Sequence, residues 1–142
     1  MTTSAKIHLP YGADTLEAAP PPGVCLGVLD VAEAPAVDDP GAALRAALAN
    51  PIGDILPLSI APGERVAIIV SDSFRHTGVD RFLPALLDYL REAGATAGNI
   101  QFVFATGTHR PPTPDEQARI LGWEVYERFK DRAFPHDPHD DA

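Results

Sequence analysis

The chain has 142 residues, which fits one ordinary domain of about 100 to 200 residues with a single core. Its 45% hydrophobic and 22% charged residues are typical of soluble globular proteins and argue against a disordered or collagen-like chain. Twenty acidic against 11 basic residues give a formal charge of -9, which repels a phosphate backbone and argues against nucleic acid as a partner.

The sequence predicts neither a secretory leader nor a membrane span. The first 22 residues carry one lysine and no apolar stretch of the ~7 to 15 residues found in signal peptides. No apolar run approaches the ~18 residues of a spanning helix. The single cysteine, Cys25, can form no internal disulfide and is expected to be a small buried apolar residue. We therefore expect a cytoplasmic protein that does not bind membranes.

Two extended segments precede the first predicted helix. Strands are predicted from Lys6 to Leu9 and from Val24 to Val31, with a proline-rich loop between them. Asp39 followed by Pro40 is typical of a helix N-cap with proline at the first helical position, and Asn50-Pro51 predicts the end of that helix. The apolar face of the helix consists of Leu44, Ala47 and Leu48.

The most regular part of the sequence predicts a β-α-β unit. The run from Val66 to Val70 lacks polar alternation, which predicts a parallel strand covered on both faces at the centre of the sheet. A helical stripe follows, formed by Leu83, Leu86, Leu87 and Leu90. Pro84 is expected in its first turn, and Gly94 is expected to end it in a left-handed cap. The run from Ile100 to Ala105 predicts a second strand, parallel and adjacent to the first after a right-handed crossover.

A capping box is predicted after the second strand. Thr113 is the expected N-cap, Pro114 the first helical residue and Glu116 the partner that completes the box. Gly122 is expected to end this helix. The segment from Trp123 to Phe129 is apolar enough to pack, but its pattern fits a helix and a strand equally.

Together these elements predict an α/β fold of the three-layer, Rossmann-like kind with a mostly parallel sheet. We expect residues 1–135 to form one domain, followed by an acidic tail at residues 136–142. The tail could imitate a metal site through His136, Asp137, His139, Asp140 and Asp141. Crowded tail residues without a rigid element are usually solvated, so we assign no metal ligand in this chain.

Two loops leave the carboxyl ends of the predicted parallel strands, where ligands bind in open α/β sheets. Because the strands are adjacent, the side chains of residues 71–77 and 106–110 are expected to converge. Arg75 suits a carboxylate, and His109 can transfer a proton near neutral pH. Asp72 as a loop cap, Arg75 in a surface ion pair and His109 as a hydrogen-bonded loop residue remain alternatives. Neither loop contains a dinucleotide fingerprint or a P-loop.

Several short strings occur in a fixed order: Tyr11-Gly12, Asp38-Asp39-Pro40, Asn50-Pro51-Ile52-Gly53, Val70-Ser71-Asp72 with Arg75, and Ala105-Thr106-Gly107-Thr108-His109-Arg110. In order and spacing they resemble the N-terminal domain of the lactate racemase family. The resemblance covers nearly the whole chain.

The resemblance implies an isomerase that interconverts D- and L-2-hydroxyacids such as lactate. It implies a nickel-pincer nucleotide, a pyridinium thioamide/thiocarboxylate mononucleotide with nickel, to which hydride transfer is coupled with proton transfer. His109 is similar to one of two acid/base histidines in the family, and Arg75 to the residue that orients the substrate carboxylate. The residues expected to contact the cofactor are Asp72, Thr106, Gly107 and Thr108.

The sequence also departs from the family pattern. Phe74 and His76 stand where threonine and proline are common, which affects either the substrate or the rigidity of the loop. The family's tether lysine, nickel-binding histidine and second acid/base histidine lie beyond the position of Ala142. The resemblance therefore implies a C-terminal racemase domain, on a missing segment or a separate chain, as the partner that completes the site.

Other interpretations remain open at this stage. The chain could be a non-catalytic module that binds a small anion or a nucleotide, or a structural domain that only packs against a partner. Without the completing domain, we expect the isolated chain to be inactive.

Overall fold

The computed structural model describes residues 6–21, 23, 29, 31–53, 58–75 and 77–139. Contacts within the chain divide it into two compact units, Met1–Ala36 and Val37–Ala142. The predicted extent of a single domain, residues 1–135, stays a prediction. Among the described residues, no helix has the length and apolar character needed to cross a bilayer. The cytoplasmic location stays a prediction as well.

Some predictions fall outside the described residues. These are the burial of Cys25, most of the apolar run from Val24 to Val31, the loop residue His76 and the end of the acidic tail at residues 140–142.

The first unit contains an antiparallel hairpin. Strand β1 (Ile7–Tyr11) pairs with β2 (Asp14–Ala18), and Leu9 lies directly opposite Leu16. The prediction of a strand near the N-terminus is confirmed, whereas β2 was not predicted. Both leucines are about half exposed, at 49% and 51%, so the hairpin presents an apolar pair on its surface.

The second unit is an α/β structure. Its described helices are α1 (Pro40–Ala49), α2 (Leu83–Glu92), α3 (Pro114–Leu121) and α4 (Trp123–Phe129). Its strands are β3 (Val66–Ser71), β4 (Ile100–Ala105) and β5 (Ala133–Pro135), and short 3-10 turns occur at Val79–Arg81 and Lys130–Arg132. The predicted α/β class is confirmed, and the segment that fitted a helix or a strand is the helix α4.

The three strands form one parallel sheet in the order β3-β4-β5. The predicted parallel pairing of the first two strands is confirmed, with Val66 opposite Ile100 and Ser71 opposite Ala105. Among the described strands β4 lies in the centre, so the prediction that β3 is central is wrong. β5 was not predicted because a three-residue strand is too short to show a periodic pattern.

The core lies on one face of this sheet. Val70, Phe102 and Phe104 point to that face and are at most 5% exposed. The helices supply further buried members of the core, Leu83, Leu90, Leu121, Val125 and Phe129. Ile69 points to the opposite face and is 71% exposed. The prediction that β3 is covered on both faces is therefore wrong, because the core residues of the described helices pack against one face only.

The predicted helix ends are confirmed by their hydrogen bonds. The Asp39 carboxylate accepts the Ala42 N–H at 2.9 Å at the start of α1. At the start of α3, the Thr113 hydroxyl accepts the Glu116 N–H at 3.3 Å, and the Glu116 carboxylate accepts the Thr113 N–H at 2.8 Å. This is the reciprocal pattern of a capping box. Gly122 ends α3.

Gly94 ends α2 as predicted. Its N–H donates to the Arg91 carbonyl and the Ala95 N–H donates to the Leu90 carbonyl, which are the two bonds of a Schellman motif. Gly94 has a φ of 109°, and a Cβ at this position would lie 2.5 Å from the Ile60 carbonyl oxygen. Both the conformation and the close approach therefore require glycine.

Candidate functional site

The loop after β3 is organised by Asp72. This residue is 3% exposed, and its carboxylate accepts the Phe74 N–H at 3.2 Å. The Arg75 N–H donates to the Asp72 carbonyl at 3.3 Å. Asp72 therefore caps its own loop, as the structural alternative predicted, and the turn brings Arg75 back beside the carboxylate.

The loop after β4 is anchored to the sheet through Thr106. Its buried hydroxyl donates to the His136 carbonyl at 2.6 Å, and the His136 N–H donates to the Phe104 carbonyl. The His109 N–H then donates to the Thr106 carbonyl at 3.0 Å. Gly107 lies within this turn at a φ of 55°. These bonds fix the backbone from which the His109 side chain projects.

The two loops meet at the side chains of Asp72 and His109. His109 Nδ1 lies 2.5 Å from Asp72 Oδ2, which is a short, charge-assisted hydrogen bond. This bond is the main cause that lowers the pKa of Asp72, with a further contribution from the Phe74 N–H, against the opposing effect of burial. Asp72 is therefore an ionised acceptor, so Nδ1 must carry the proton that it donates. The neutral imidazole then has an unprotonated Nε2 that can accept a proton.

Further contacts surround the imidazole. The rings of Phe74 and His109 have centroids 4.5 Å apart at an interplanar angle of 51°. The Arg110 guanidinium lies 5.7 Å from the Phe74 centroid and forms two hydrogen bonds of 2.7 Å with Glu116. We call Asp72, Phe74, His109, Arg110 and Glu116 the imidazole cluster. It links the two loops to the first turn of α3.

Glu116 is held strongly as an anion. Hydrogen bonds from Arg110, followed by the Thr113 N–H, lower the pKa of Glu116 from 4.5 to about 2. The same pairing raises the pKa of Arg110. The charge of the Arg110 guanidinium is therefore balanced by Glu116 within the protein.

A small pocket lies beside the imidazole cluster. Its volume is about 120 Å³, and its walls come from the loop after β3, the 3-10 turn Val79–Arg81 and α3. Its charged lining residues are Asp72, Arg75, Asp80, Glu116 and Arg119. We call it the guanidinium pocket. Within the described ranges, neither Arg75 nor Arg119 has an ion-pair partner within 4.0 Å.

The charge balance of the guanidinium pocket favours an anion. Asp72 and Glu116 are already engaged by His109 and Arg110. The charges that remain are the two guanidinium groups and one carboxylate, Asp80. A small carboxylate or phosphate is the ligand chemistry that two unengaged guanidinium groups suit.

The structure brings together only part of the predicted site. Asp72, Arg75 and His109 lie on adjoining loops, with Asp72 touching His109 and lining the same pocket as Arg75. His109 is not among the lining residues of that pocket. Thr106 is 2% exposed and its hydroxyl already donates within the fold, so it presents no free proton to a ligand.

Gly107 and Thr108 lie on the exposed surface of the second loop. Their N–H groups have no hydrogen-bond partner among the described residues. A Cβ on Gly107 would meet no heavy atom within 4 Å, so this glycine serves the turn conformation and leaves open space above the backbone.

Sequence reasoning missed three contributors to this region. Arg119 was assigned no role in the site, Phe74 was noted only as a departure from the family pattern, and Glu116 was assigned only its role in the capping box. The helical spacing from Glu116 to Arg119 places both residues on one side of α3, one turn apart. For Glu116 and Arg119 the missing signal was the position of α3 beside the loop after β3, which no local pattern encodes.

The described residues contain no cluster of candidate metal ligands. In the part of the chain that the structure describes, no three His, Cys, Asp or Glu side chains form a group that could hold a metal ion. His136 is held by its backbone to the end of β4, and the Asp137 carboxylate accepts the His139 N–H at 2.9 Å.

Comparison with known proteins adds one finding. A family model described as the lactate racemase N-terminal domain matches residues 11–142. No curated protein matches the chain. The matched range includes both loops that carry Asp72, Arg75 and His109.

Proposed function

Because the chain belongs to the lactate racemase N-terminal domain family, we propose that it supplies half of an active site for interconverting D- and L-2-hydroxyacids. The family match over residues 11–142 confirms the resemblance noted in the sequence. The other half of the site, with the cofactor tether and the nickel-binding histidine, comes from a C-terminal racemase domain on a further segment or a separate chain.

One observation carries the proposal most directly. The Nδ1–H of His109 donates to Asp72 at 2.5 Å on the loop that also carries Arg75. An ionised carboxylate on Nδ1 fixes the tautomer in which Nε2 accepts a proton, as in other acid/base sites that use histidine. The arrangement supports His109 as the base for the 2-hydroxyl group. Because the side chain of His109 is 49% exposed, Nε2 remains accessible to a substrate.

Arg75 binds the substrate carboxylate in this proposal. A planar guanidinium can form two parallel hydrogen bonds to a carboxylate, which fixes the orientation of a small acid as well as its position. Arg119 adds a second positive charge to the same pocket. Asp72 contacts the imidazole and lines the pocket, so it acts as a positioning residue between the two functions.

The residues of this chain cannot racemise a hydroxyacid alone. The C–H bond beside a hydroxyl and an ionised carboxylate is too weak an acid for an imidazole to deprotonate. When bound, the nickel-pincer nucleotide supplies a hydride acceptor for that bond. His109 takes the hydroxyl proton at Nε2 and returns it when the hydroxyacid is formed again.

The chain's donors suit the nucleotide part of such a cofactor. The N–H groups of Gly107 and Thr108 have no hydrogen-bond partner among the described residues. Together with the exposed Thr108 hydroxyl they are appropriate donors for phosphate or ribose oxygens. We assign the cofactor contacts to this exposed backbone and hydroxyl rather than to the buried side chain of Thr106. In this proposal the nickel-binding histidine is supplied by the completing domain, as the resemblance to the family implies.

A complementation assay tests the proposal. The chain is mixed with a cofactor-loaded C-terminal lactate racemase domain, and D-lactate formed from L-lactate is measured by chiral chromatography. We expect turnover in the mixture and none with either part alone. If size-exclusion chromatography shows a complex but L-lactate remains unchanged, the proposed function is wrong.

The guanidinium pocket favours one alternative, a non-catalytic module that binds a small anion. Arg75 and Arg119 could serve this role without His109. Calorimetry of the chain alone with L-lactate, inorganic phosphate and nicotinate mononucleotide separates the two functions. Tight binding of one ligand, together with a complex that never turns over, favours the binding module.

A further inference from the structure

Phe74 makes a contact that the proposed function does not yet use. Its ring centroid lies 4.5 Å from that of His109, within the range of favourable aromatic pairs. Phe74 is also 59% exposed, so it contributes little to the core. Phe74 is therefore a large, mostly exposed aromatic side chain that lies against a histidine of the candidate site. This placement indicates a role in the site rather than in the core.

The hydrogen bond to Asp72 cannot by itself fix the imidazole. It holds one atom, Nδ1, and the ring can still tilt through small rotations about the Cα–Cβ and Cβ–Cγ bonds. The side chain of His109 is 49% exposed, so few other contacts oppose these rotations. A second contact against the ring of His109 removes the remaining freedom.

Phe74 is itself held from α3. The Arg110 guanidinium lies 5.7 Å from its ring centroid, in the range of a cation–π contact. Arg110 is bound through two hydrogen bonds to Glu116, which also accepts the Thr113 N–H at the start of the helix. The ring of Phe74 therefore lies between the His109 imidazole and a side-chain pair that is fixed to a helix end.

We infer that Phe74 is a positioning residue that holds the His109 imidazole in the orientation set by Asp72. Two contacts at different points of the ring, one hydrogen bond and one aromatic pair, define the plane of the imidazole and the direction of Nε2. A side chain without a ring at this position could not form this pair. The importance of this positioning for catalysis rests on the proposed function, but the orientation of the His109 ring can be measured without substrate.

Nuclear magnetic resonance of the unliganded chain tests the inference. Ring nitrogen shifts report the tautomer of His109, and carbon relaxation reports the mobility of its ring, with the signals assigned through His109→Gln. In Phe74→Leu, which keeps an apolar side chain but removes the ring, we expect roughly a three-fold or larger rise in the population of other imidazole orientations. The share of the Nδ1–H tautomer falls with it.

Three further variants separate positioning from general stability. Phe74→Tyr keeps the ring and is expected to preserve the wild-type tautomer and mobility. Phe134→Leu removes a phenylalanine of similar exposure, 50%, on β5 and is expected to leave His109 unchanged. Glu116→Gln weakens the hold on Arg110 and is expected to mobilise His109 less than Phe74→Leu does. Amide spectra confirm that each variant is folded.

Two outcomes would overturn the inference. One is a His109 ring in folded Phe74→Leu with wild-type tautomer and mobility. The other is an equal change in Phe134→Leu, which would indicate a general loosening of the fold. If His109 becomes mobile as expected but the complemented enzyme still racemises lactate at the wild-type rate, the positioning role holds and the proposed acid/base role of His109 fails.

Discussion

The imidazole cluster and the guanidinium pocket adjoin each other but differ in whether their charged groups are paired. In the cluster, Asp72 is bonded to His109 and Glu116 to Arg110. In the pocket, the guanidinium groups of Arg75 and Arg119 have no ion-pair partner within the described part of the chain. In the proposed function, the imidazole that accepts the proton is held in one orientation in advance, whereas the guanidinium groups keep their charge available for an anion.

Removing the His109 imidazole is expected to have the largest effect on racemisation. His109→Gln removes the proton acceptor but leaves the pocket intact, so racemisation by the complemented enzyme should fall roughly 10²- to 10⁴-fold. Lactate binding should change little. His8→Gln, an exposed histidine on β1, is the matched control and should retain full activity. Wild-type racemisation by His109→Gln would remove the imidazole from the mechanism.

Asp72→Asn keeps the imidazole but withdraws the charge that fixes its tautomer. We expect the rate of racemisation by the complemented enzyme to fall roughly 10- to 100-fold. This is less than the ~10⁴-fold loss found for the corresponding change in a serine protease triad. The loss is smaller because half-exposed His109 can still turn into the productive orientation. Chiral chromatography measures the rate, and ring nitrogen shifts measure the tautomer. An unchanged tautomer in Asp72→Asn would contradict the explanation.

Arg75→Ala is expected to affect the pocket and spare the cluster. Loss of charge-assisted hydrogen bonds to a carboxylate should weaken L-lactate binding roughly 10- to 100-fold in calorimetry. Arg119→Ala should weaken it less, because Arg75 still holds the carboxylate. Arg91→Ala is the control, since Arg91 pairs with Asp88 at the surface. If both pocket variants bind lactate as Arg91→Ala does, the pocket is not the substrate site.

The sequence predicted most of the fold that depends on local signals. The strand from Ile100 to Ala105 and the caps at Asp39, Thr113 and Gly94 are confirmed, because each signal lies within a few residues of the structure that it specifies. The position of β3 at the edge of the described sheet was predicted wrongly. Its apolar run looks the same whether a strand is covered on one face or on both.

The prediction of the site was also limited where it depends on contacts between segments that are distant in sequence. The pairing of Asp72 with His109 follows from two adjacent parallel strands, so convergence of the two loops could be expected from sequence. The contribution of Arg119 could not, because it depends on how α3 lies beside the loop after β3. Phe74 lies on one of the two converging loops, but no local pattern indicates that its ring lies against His109. No spacing within either segment records that contact.

Thr113→Ala tests whether the helix end supports the imidazole cluster. Loss of an N-cap hydroxyl should lower the free energy of unfolding by about 1 kcal/mol. Urea titration measures the change, with an unchanged slope as the sign that the folded state is intact. Thr108→Ala, an exposed threonine without a hydrogen bond among the described residues, should stay within about 0.5 kcal/mol of wild type. Equal stability of the two variants would contradict the importance of the capping box.

The smallest expected effect is that of low pH, which acts on the imidazole cluster by protonating Glu116. Pairing with Arg110 lowers the pKa of Glu116 from 4.5 to about 2, so its ionised form stabilises the fold above pH ~4.5. That contribution is lost as the pH falls from 4.5 towards 2. Glu116→Gln keeps a side chain that can complete the capping box but carries no charge. The stability difference between wild type and this variant should therefore narrow below pH ~4.5.

The stability difference between wild type and Glu116→Gln should also shrink in high salt. The side chain of Arg110 is 54% exposed, so salt partly screens its ion pair with Glu116. Urea midpoints of both proteins at successive pH values measure the effect. Arg110→Ala should show the same convergence with wild type, because it removes the partner of the same carboxylate. A difference that stays constant from pH 6 to pH 3 would mean that Glu116 acts through its hydrogen bonds to Thr113 alone, and that its charge does not help to hold Arg110 against Phe74.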